Sequence, residues 1–160
     1  MTRYTRQTAV LGSAAQGQLA GASVLVIGAG GLAAPVTQYL VGAGVGHIRI
    51  VDADAVSLSN LHRQTVFRAM DIGLPKVHMI AKAMTALNPD TTIEPVQQRV
   101  DPANIAALCA GMTLTLDCAD SFAVRYMASD HCLEIGKPLI SASVIGRDGY
   151  VGGFSGGKPG

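Results

Sequence analysis

The chain has no tryptophan, 4% aromatic residues and 14% charged residues. Its only cysteines, Cys109, Cys118 and Cys132, are widely spaced, with no C-x-x-C pair. That usage argues against a disulfide framework and against a zinc site within these residues, and it fits a reducing cytoplasm. No apolar run approaches the roughly 18 residues of a membrane span. The start, Met1 to Arg6, lacks the apolar stretch of a signal peptide. Neither sign of charge prevails, since 12 Lys and Arg face 11 Asp and Glu. Without a basic field, bulk electrostatics argues against a nucleic-acid partner. So little charge also implies that some apolar surface is covered by a partner.

What the chain does have is apolar residues, 49% of 160, and 19 glycines. That is enough for one domain with a core. Ser23–Ile27 (SVLVI) is a continuous apolar run ending at glycines, the pattern of a strand buried on both faces. Leu32, Val36, Leu40 and Ala43 recur at helical spacing, and Gly44 closes that helix. His47–Val51 (HIRIV) reads as a second strand ending at Asp52. Together they predict a βαβ unit with a right-handed crossover.

From Val56 to Met70 the period is unclear, and an ordered loop or short helical turns are both open. A helix is predicted from Pro75, with Val77, Ile80, Ala81, Met84 and Leu87 on one face and Asn88-Pro89 as its stop. Further strands are expected at Thr92–Val96, Leu114–Asp117, Leu139–Ala142 and Tyr150–Phe154. A short helix is expected after an Asp101-Pro102 cap, and a longer one after Asp120-Ser121. The expected fold is α/β: a Rossmann-like, doubly wound, mostly parallel sheet with helices on both faces. Residues 1–160 read as one domain, with 1–20 as an N-terminal helical arm and 155–160 as a flexible end.

In such a sheet, ligands bind beyond the carboxyl ends of the strands. Four candidate groups fall there: the turn after the first strand, Asp52, Asp117 to Asp120, and Ser141. The turn is Gly28-x-Gly30-x-x-Ala33, whose glycines allow close backbone approach to a phosphate. Asp52 stands about 20 residues beyond it, where an acid takes ribose hydroxyls. Nucleotide binding follows, against the plainer reading of a tight turn and a capping Asp. The loop from Ser59 through Asn60 and Arg63 to Gln64 adds polar and cationic groups near that pocket.

Lys76 begins a helix, where a cation opposes the helix dipole; that placement suggests use on an anionic ligand, and the plainer alternative is a solvated lysine, the commoner fate of any single Lys. Asp120 is favoured as the Mg²⁺ carboxylate, since such sites take one or two carboxylates plus phosphates. Its plainer role is an N-cap, shared with Ser121. Cys118 and Cys132 read as buried small hydrophobes and not as nucleophiles. His62 and His131 carry no expected role.

These residues fall into six ordered motifs: RYTRQ (Arg3–Gln7), GAGGLA (Gly28–Ala33), VDADAVSLSNLHRQ (Val51–Gln64), DIGLPK (Asp71–Lys76), LNPD (Leu87–Asp90) and LDCADSFAVR (Leu116–Arg125). From Arg3 to about Phe154 the chain resembles the adenylyltransferases that activate ubiquitin-like sulfur-carrier proteins in thiamine and molybdopterin biosynthesis. The stretch PLISASVIGRDG (Pro138–Gly149) leans toward the thiamine branch.

The resemblance implies a reaction of Mg·ATP with the carboxylate of a carrier ending in Gly-Gly, giving an acyl-adenylate and pyrophosphate. It makes Gly31 a backbone contact to phosphate and Asp52 the ribose acid. Asn60, Arg63 and Lys76 become the groups around the triphosphate, and Asp120 the acid near the metal. Arg6 becomes an arginine that reaches into a partner's site, so a homodimer is expected.

Two departures stand inside the motifs: Ala33 replaces the third glycine, and Ser121 replaces an Asn beside Asp120. The family continues into a C-x-x-C zinc half-site and strands that dock the carrier. This chain is expected to be a truncated product, a fragment or a minimal homologue, keeping the ATP pocket but not that region. Two rivals remain. A nicotinamide-dependent oxidoreductase would use GAGGLA and Asp52 equally well but has no need of Arg63 and Lys76. A non-catalytic subunit of an activating-enzyme-like heterodimer would lack the cations or the acid that are present here. The same pocket would also serve adenylation of another carboxylate.

Overall fold

The structure is a computed structural model, and it describes residues 2–156. The last four residues of the expected flexible end lie outside the described residues. Six strands form one sheet in the order β3-β2-β1-β4-β5-β6. They are β1 (Ser23–Ile27), β2 (His47–Val51), β3 (Thr92–Val96), β4 (Leu114–Asp117), β5 (Leu139–Ile145) and β6 (Asp148–Phe154). The first five run parallel, and β6 is antiparallel to β5. The helices are α1 (Thr5–Gly21), α2 (Ala33–Ala43), α3 (Lys76–Leu87), α4 (Ile105–Cys109) and α5 (Phe122–Glu134).

The apolar run of β1 is explained by its two covered faces. Val24 and Val26 point to one side, where Ile48, Ile50 and Leu116 meet Val41 of α2 and Val77, Ile80 and Met84 of α3. Leu25 and Ile27 point to the other, against Ile105, Leu108 and Cys109 of α4 and Ala128 of α5. Alternation along a strand sends successive side chains to opposite faces, so a doubly covered strand must be apolar throughout.

The strand order turns back between β1 and β4. That switch point opens a crevice at the carboxyl ends of the strands. The helical arm is α1, which buries none of its residues and breaks its helical geometry at Gly12 (φ 83°, ψ 161°). Polar contacts hold it: Gln7 and Gln16 both donate to the Ala43 carbonyl, and Asn88 Nδ2 donates to the Tyr4 hydroxyl at 2.8 Å.

Three expectations need correction. The last two strands form a hairpin through Gly146-Arg147, and both are longer than their apolar stretches suggest. Gly146 takes φ +62° at the turn, and the glycines and serines of the hairpin hide its period-2 pattern. The short α4 starts at Ile105, after a turn in which the Asp101 carboxylate accepts from the N–H groups of Ala103 and Asn104. Ser121 sits at the N-cap of α5 without a side-chain cap bond. Apolar side chains stay exposed along α5 and the hairpin, among them Tyr126, Leu133, Val144 and Val151. Among the described residues no helix is long and apolar enough to cross a membrane.

Candidate nucleotide site

A cavity of about 770 Å³ occupies the crevice at the switch point. Small-molecule sites fall between about 300 and 1,000 Å³. Gly28, Gly30, Gly31, Asp52, Asn60, Arg63, Gln64, Lys76, Asp120 and Ser121 all line it. They come from three strand ends, one loop and the start of α3, so the tertiary fold brings them together.

The turn after β1 is built for close approach. Gly28 has φ +98°, and a Cβ there would lie 2.9 Å from the Cys118 carbonyl oxygen. The Gly28 N–H donates to Val51 O at 2.8 Å, and Cys118 N–H donates to Ile27 O at 3.0 Å. The three strand ends are thereby stitched side by side. Asp52 is held by the same turn: Oδ2 accepts from Ala29 N–H at 2.7 Å and Oδ1 from Asp54 N–H at 2.7 Å. Each carboxylate oxygen retains lone-pair capacity toward the cavity.

Across the crevice, Asp117 is fully buried. It accepts from Ser141 Oγ at 2.6 Å and Ala119 N–H at 3.0 Å, and Arg125 Nε stands 3.2 Å away. Arg125 also donates to the Ala119 and Ala142 carbonyls. This clamp fixes the loop that carries Asp120. The Asp120 carboxylate is exposed on the cavity rim and makes no hydrogen bond or ion pair among the described residues. A free rim carboxylate fits a Mg²⁺ whose remaining ligands are phosphate oxygens and water.

The cations stand on the opposite wall. Lys76 is buried to 5% exposure, and its Nζ donates to Asp54 Oδ2 at 2.8 Å. Arg63 is exposed, and among the described residues its side chain bonds within its own loop, to Ser59 O and His62 Nε2. Gln64 is 3% exposed, and its Oε1 has no partner among the described residues. A buried polar atom without a partner is costly and marks a wall that expects a polar guest.

Besides Ser141, which is buried against Asp117, two expected site residues fall outside this cavity. Ser59 turns away on the 3₁₀ turn Leu58–Asn60, and its hydroxyl contacts Ser57 Oγ at 2.9 Å. It is Ser57, two residues earlier, that lines the cavity. Arg6 is exposed on the first turn of α1 and does not reach the cavity of its own chain. Sequence reasoning missed Asp54, Gln98, Arg99 and the stretch from Ser143 to Ile145, all of which line it. Only Asp54 carried a signal, as an acid two residues beyond Asp52.

Cys118 also lines the cavity, but burial, reinforced by the Asp117 charge, pushes its thiol up to about 12 despite the opposing Arg125. A neutral thiol at ordinary pH is a poor nucleophile.

The sequence pattern of the ThiF family matches residues 4–159. A molybdopterin-synthase adenylyltransferase from Salmonella typhimurium is 43% identical over 157 residues, covering 97% of this chain and 63% of the relative. A sulfur carrier protein adenylyltransferase from Thermus thermophilus is 40% identical over 156 residues, covering 96% of this chain and 58% of the relative. The chain thus spans about three fifths of the length of these curated relatives.

Among solved structures, E. coli MccB with MccA-N7isoASN superposes with a TM-score of 0.91 at 23% identity, over 99% of this chain and 49% of MccB. That likeness is one of fold. The E. coli tRNA N6-threonylcarbamoyladenosine dehydratase TcdA, in complex with ATP, superposes with a TM-score of 0.83 at 26% identity, over 87% of this chain and 58% of TcdA. With the fold, the glycine turn and the profile in agreement, the chain belongs to the ThiF family.

Proposed function

We propose that this chain is the nucleotide-binding part of an adenylyltransferase. In this reading it uses ATP to activate the C-terminal glycine carboxylate of a ubiquitin-like sulfur-carrier protein ending in Gly-Gly. The observation that carries the reading is the meeting of Arg63, Lys76 and Asp120 around one cavity floored by Gly28, Gly30 and Gly31. The names of the Salmonella and Thermus relatives support the reaction and the class of acceptor. The ATP complex of TcdA supports the nucleotide.

The chemistry follows from charge. The carrier carboxylate oxygen attacks the α-phosphorus, the new C–O–P bond forms, and the bond to the bridging oxygen of pyrophosphate breaks. Negative charge grows on the departing oxygens, so positioned cations lower the barrier. Lys76 and Arg63 supply that charge. The N–H groups of the Gly28–Gly31 turn cradle phosphate, and Asp52 accepts from the ribose hydroxyls. Asn60, Gln64 and Ser121 complete the polar lining. Asp120 holds the Mg²⁺ that travels with ATP, and the ion supplies further neutralisation of phosphate charge. Arg6 serves a second protomer's cavity, which makes the active form a homodimer in the cytoplasm. The carrier belongs to molybdopterin or thiamine biosynthesis.

A nicotinamide oxidoreductase gives Lys76 and Arg63 no task, and a non-catalytic subunit would not keep both with Asp120. The test is carrier-dependent ATP–pyrophosphate exchange with a panel of carriers ending in Gly-Gly, beside binding of NAD. Exchange with one carrier and no NAD binding is expected. NAD binding with no exchange would overturn the reading.

A further inference from the structure

Asp54 lines the cavity, yet the adenylation reading leaves it without a task. It is joined to Lys76 twice. Lys76 Nζ donates to Asp54 Oδ2 at 2.8 Å, and the Lys76 N–H donates to Asp54 O at 3.0 Å. The neighbouring backbone fixes both partners. Ala55 bridges Pro75, Val56 N–H donates to Leu74 O, and Asp54 N–H donates to Asp52 Oδ1. The Asp52 carboxylate and the Lys76 ammonium are therefore linked through one residue.

The two side chains differ sharply in burial. That of Lys76 is 7% exposed and that of Asp54 61% exposed. A nearly buried ammonium needs a counter-charge, and breaking its pair without a substitute is costly. The hydrated Asp54 carboxylate loses little when left alone. A polyphosphate entering the cavity brings a multiply charged acceptor for the same ammonium, and charge-assisted bonds of that kind are strong.

We propose that Asp54 is a positioning residue that acts as a stand-in counter-ion. It holds the Lys76 ammonium in place before ligand arrives, yields it to a phosphate oxygen of the incoming polyphosphate, and takes it back when the polyphosphate leaves. The inference rests on the nucleotide reading above. It also implies that Asp54 competes with the ligand and weakens its binding.

The experiment is a double-mutant cycle on Asp54→Asn and Lys76→Met, with calorimetry against Mg·ATP and against inorganic tripolyphosphate. Melting temperatures are taken with and without each ligand. Asp54→Asn is expected to lower the melting temperature of the empty protein and to tighten both ligands about fivefold. The ligand-induced rise in melting temperature grows accordingly. Lys76→Met weakens both ligands, and in its background Asp54→Asn has no effect on affinity.

Unchanged or weaker binding by Asp54→Asn overturns the exchange. Equal tightening in the Lys76→Met background also overturns it, because removal of a repelling charge would then suffice. If the wild type binds tripolyphosphate but not ATP, the nucleotide reading fails while the exchange stands or falls on the tripolyphosphate cycle. If the wild type binds neither, both fail.

Discussion

Ser141 Oγ donates a 2.6 Å hydrogen bond to the fully buried Asp117 Oδ2, and this bond ties the carboxyl end of β4 to the residue paired with it inside β5. With Arg125 on the other side, it sets where the Cys118–Asp120 loop enters the cavity. The clamp is inside the protein, but its consequence is the position of the exposed Asp120.

Replacing Asp117 by Asn keeps the shape and removes the charge that faces Arg125. Losing one member of a buried pair costs roughly 3 kcal/mol, which lowers the Tm of a chain this size by about 10 °C. Differential scanning calorimetry of Asp117→Asn checks this. A Tm within about 2 °C of wild type, or less than 1 kcal/mol, would show that Arg125 is satisfied by the Ala119 and Ala142 carbonyls alone.

Gly28→Ala meets two obstacles, a positive φ and a carbonyl oxygen 2.9 Å from the new methyl group. The turn must shift, and with it the N–H groups facing the cavity. We expect a loss of about 1–3 kcal/mol in stability and a larger loss in nucleotide affinity. Thermal melts with and without Mg·ATP separate the two effects.

Arg6→Ala and Asp120→Ala should each be inactive in pyrophosphate exchange, while their mixture recovers activity in mixed dimers. Both residues are exposed, so neither change should disturb folding. Absence of recovery, once subunit exchange is demonstrated, would place Arg6 within its own chain's function or outside catalysis.

Cys118 should resist alkylation. Its thiol pKa is raised from 9.0 to about 12, so the protonated form persists at pH 8 and the thiolate fraction falls about 1,000-fold relative to a free thiol. Raising the pH through 9 should leave it unreactive, with labelling only near the raised value or on unfolding. Iodoacetamide mass labelling at pH 8, native against urea-unfolded, measures it. Rapid native labelling of Cys118 would contradict the burial argument.

Much of this molecule is legible in its sequence, for a reason visible at particular residues. The glycine turn, α2, β2 and Asp52 lie in one βαβ unit, so their geometry follows from local period and spacing. The strand of Ser23–Ile27 is apolar throughout because both its faces are covered, and that pattern needs no long-range information. Lys76 is conspicuous because a cation at a helix start is locally unfavourable.

What only the tertiary structure decided depends on contacts that no local pattern encodes. Asp54 meets Lys76 because the loop after β2 bridges the residues just before α3, through Ala55 and Pro75. Ser57 lines the cavity in place of Ser59 because a single 3₁₀ turn reverses which hydroxyl faces inward. Gln98 and Arg99 reach the site by following β3, which pairs with β2 only after the chain has crossed over through α3. The β5–β6 hairpin pairs a strand interrupted by serines with a glycine-rich one, their side-chain alternation is too sparse to read, and backbone hydrogen bonds settle their register. Sequence period specifies which face of each element is buried; strand order and loop conformation specify which of the remaining polar side chains share a cavity.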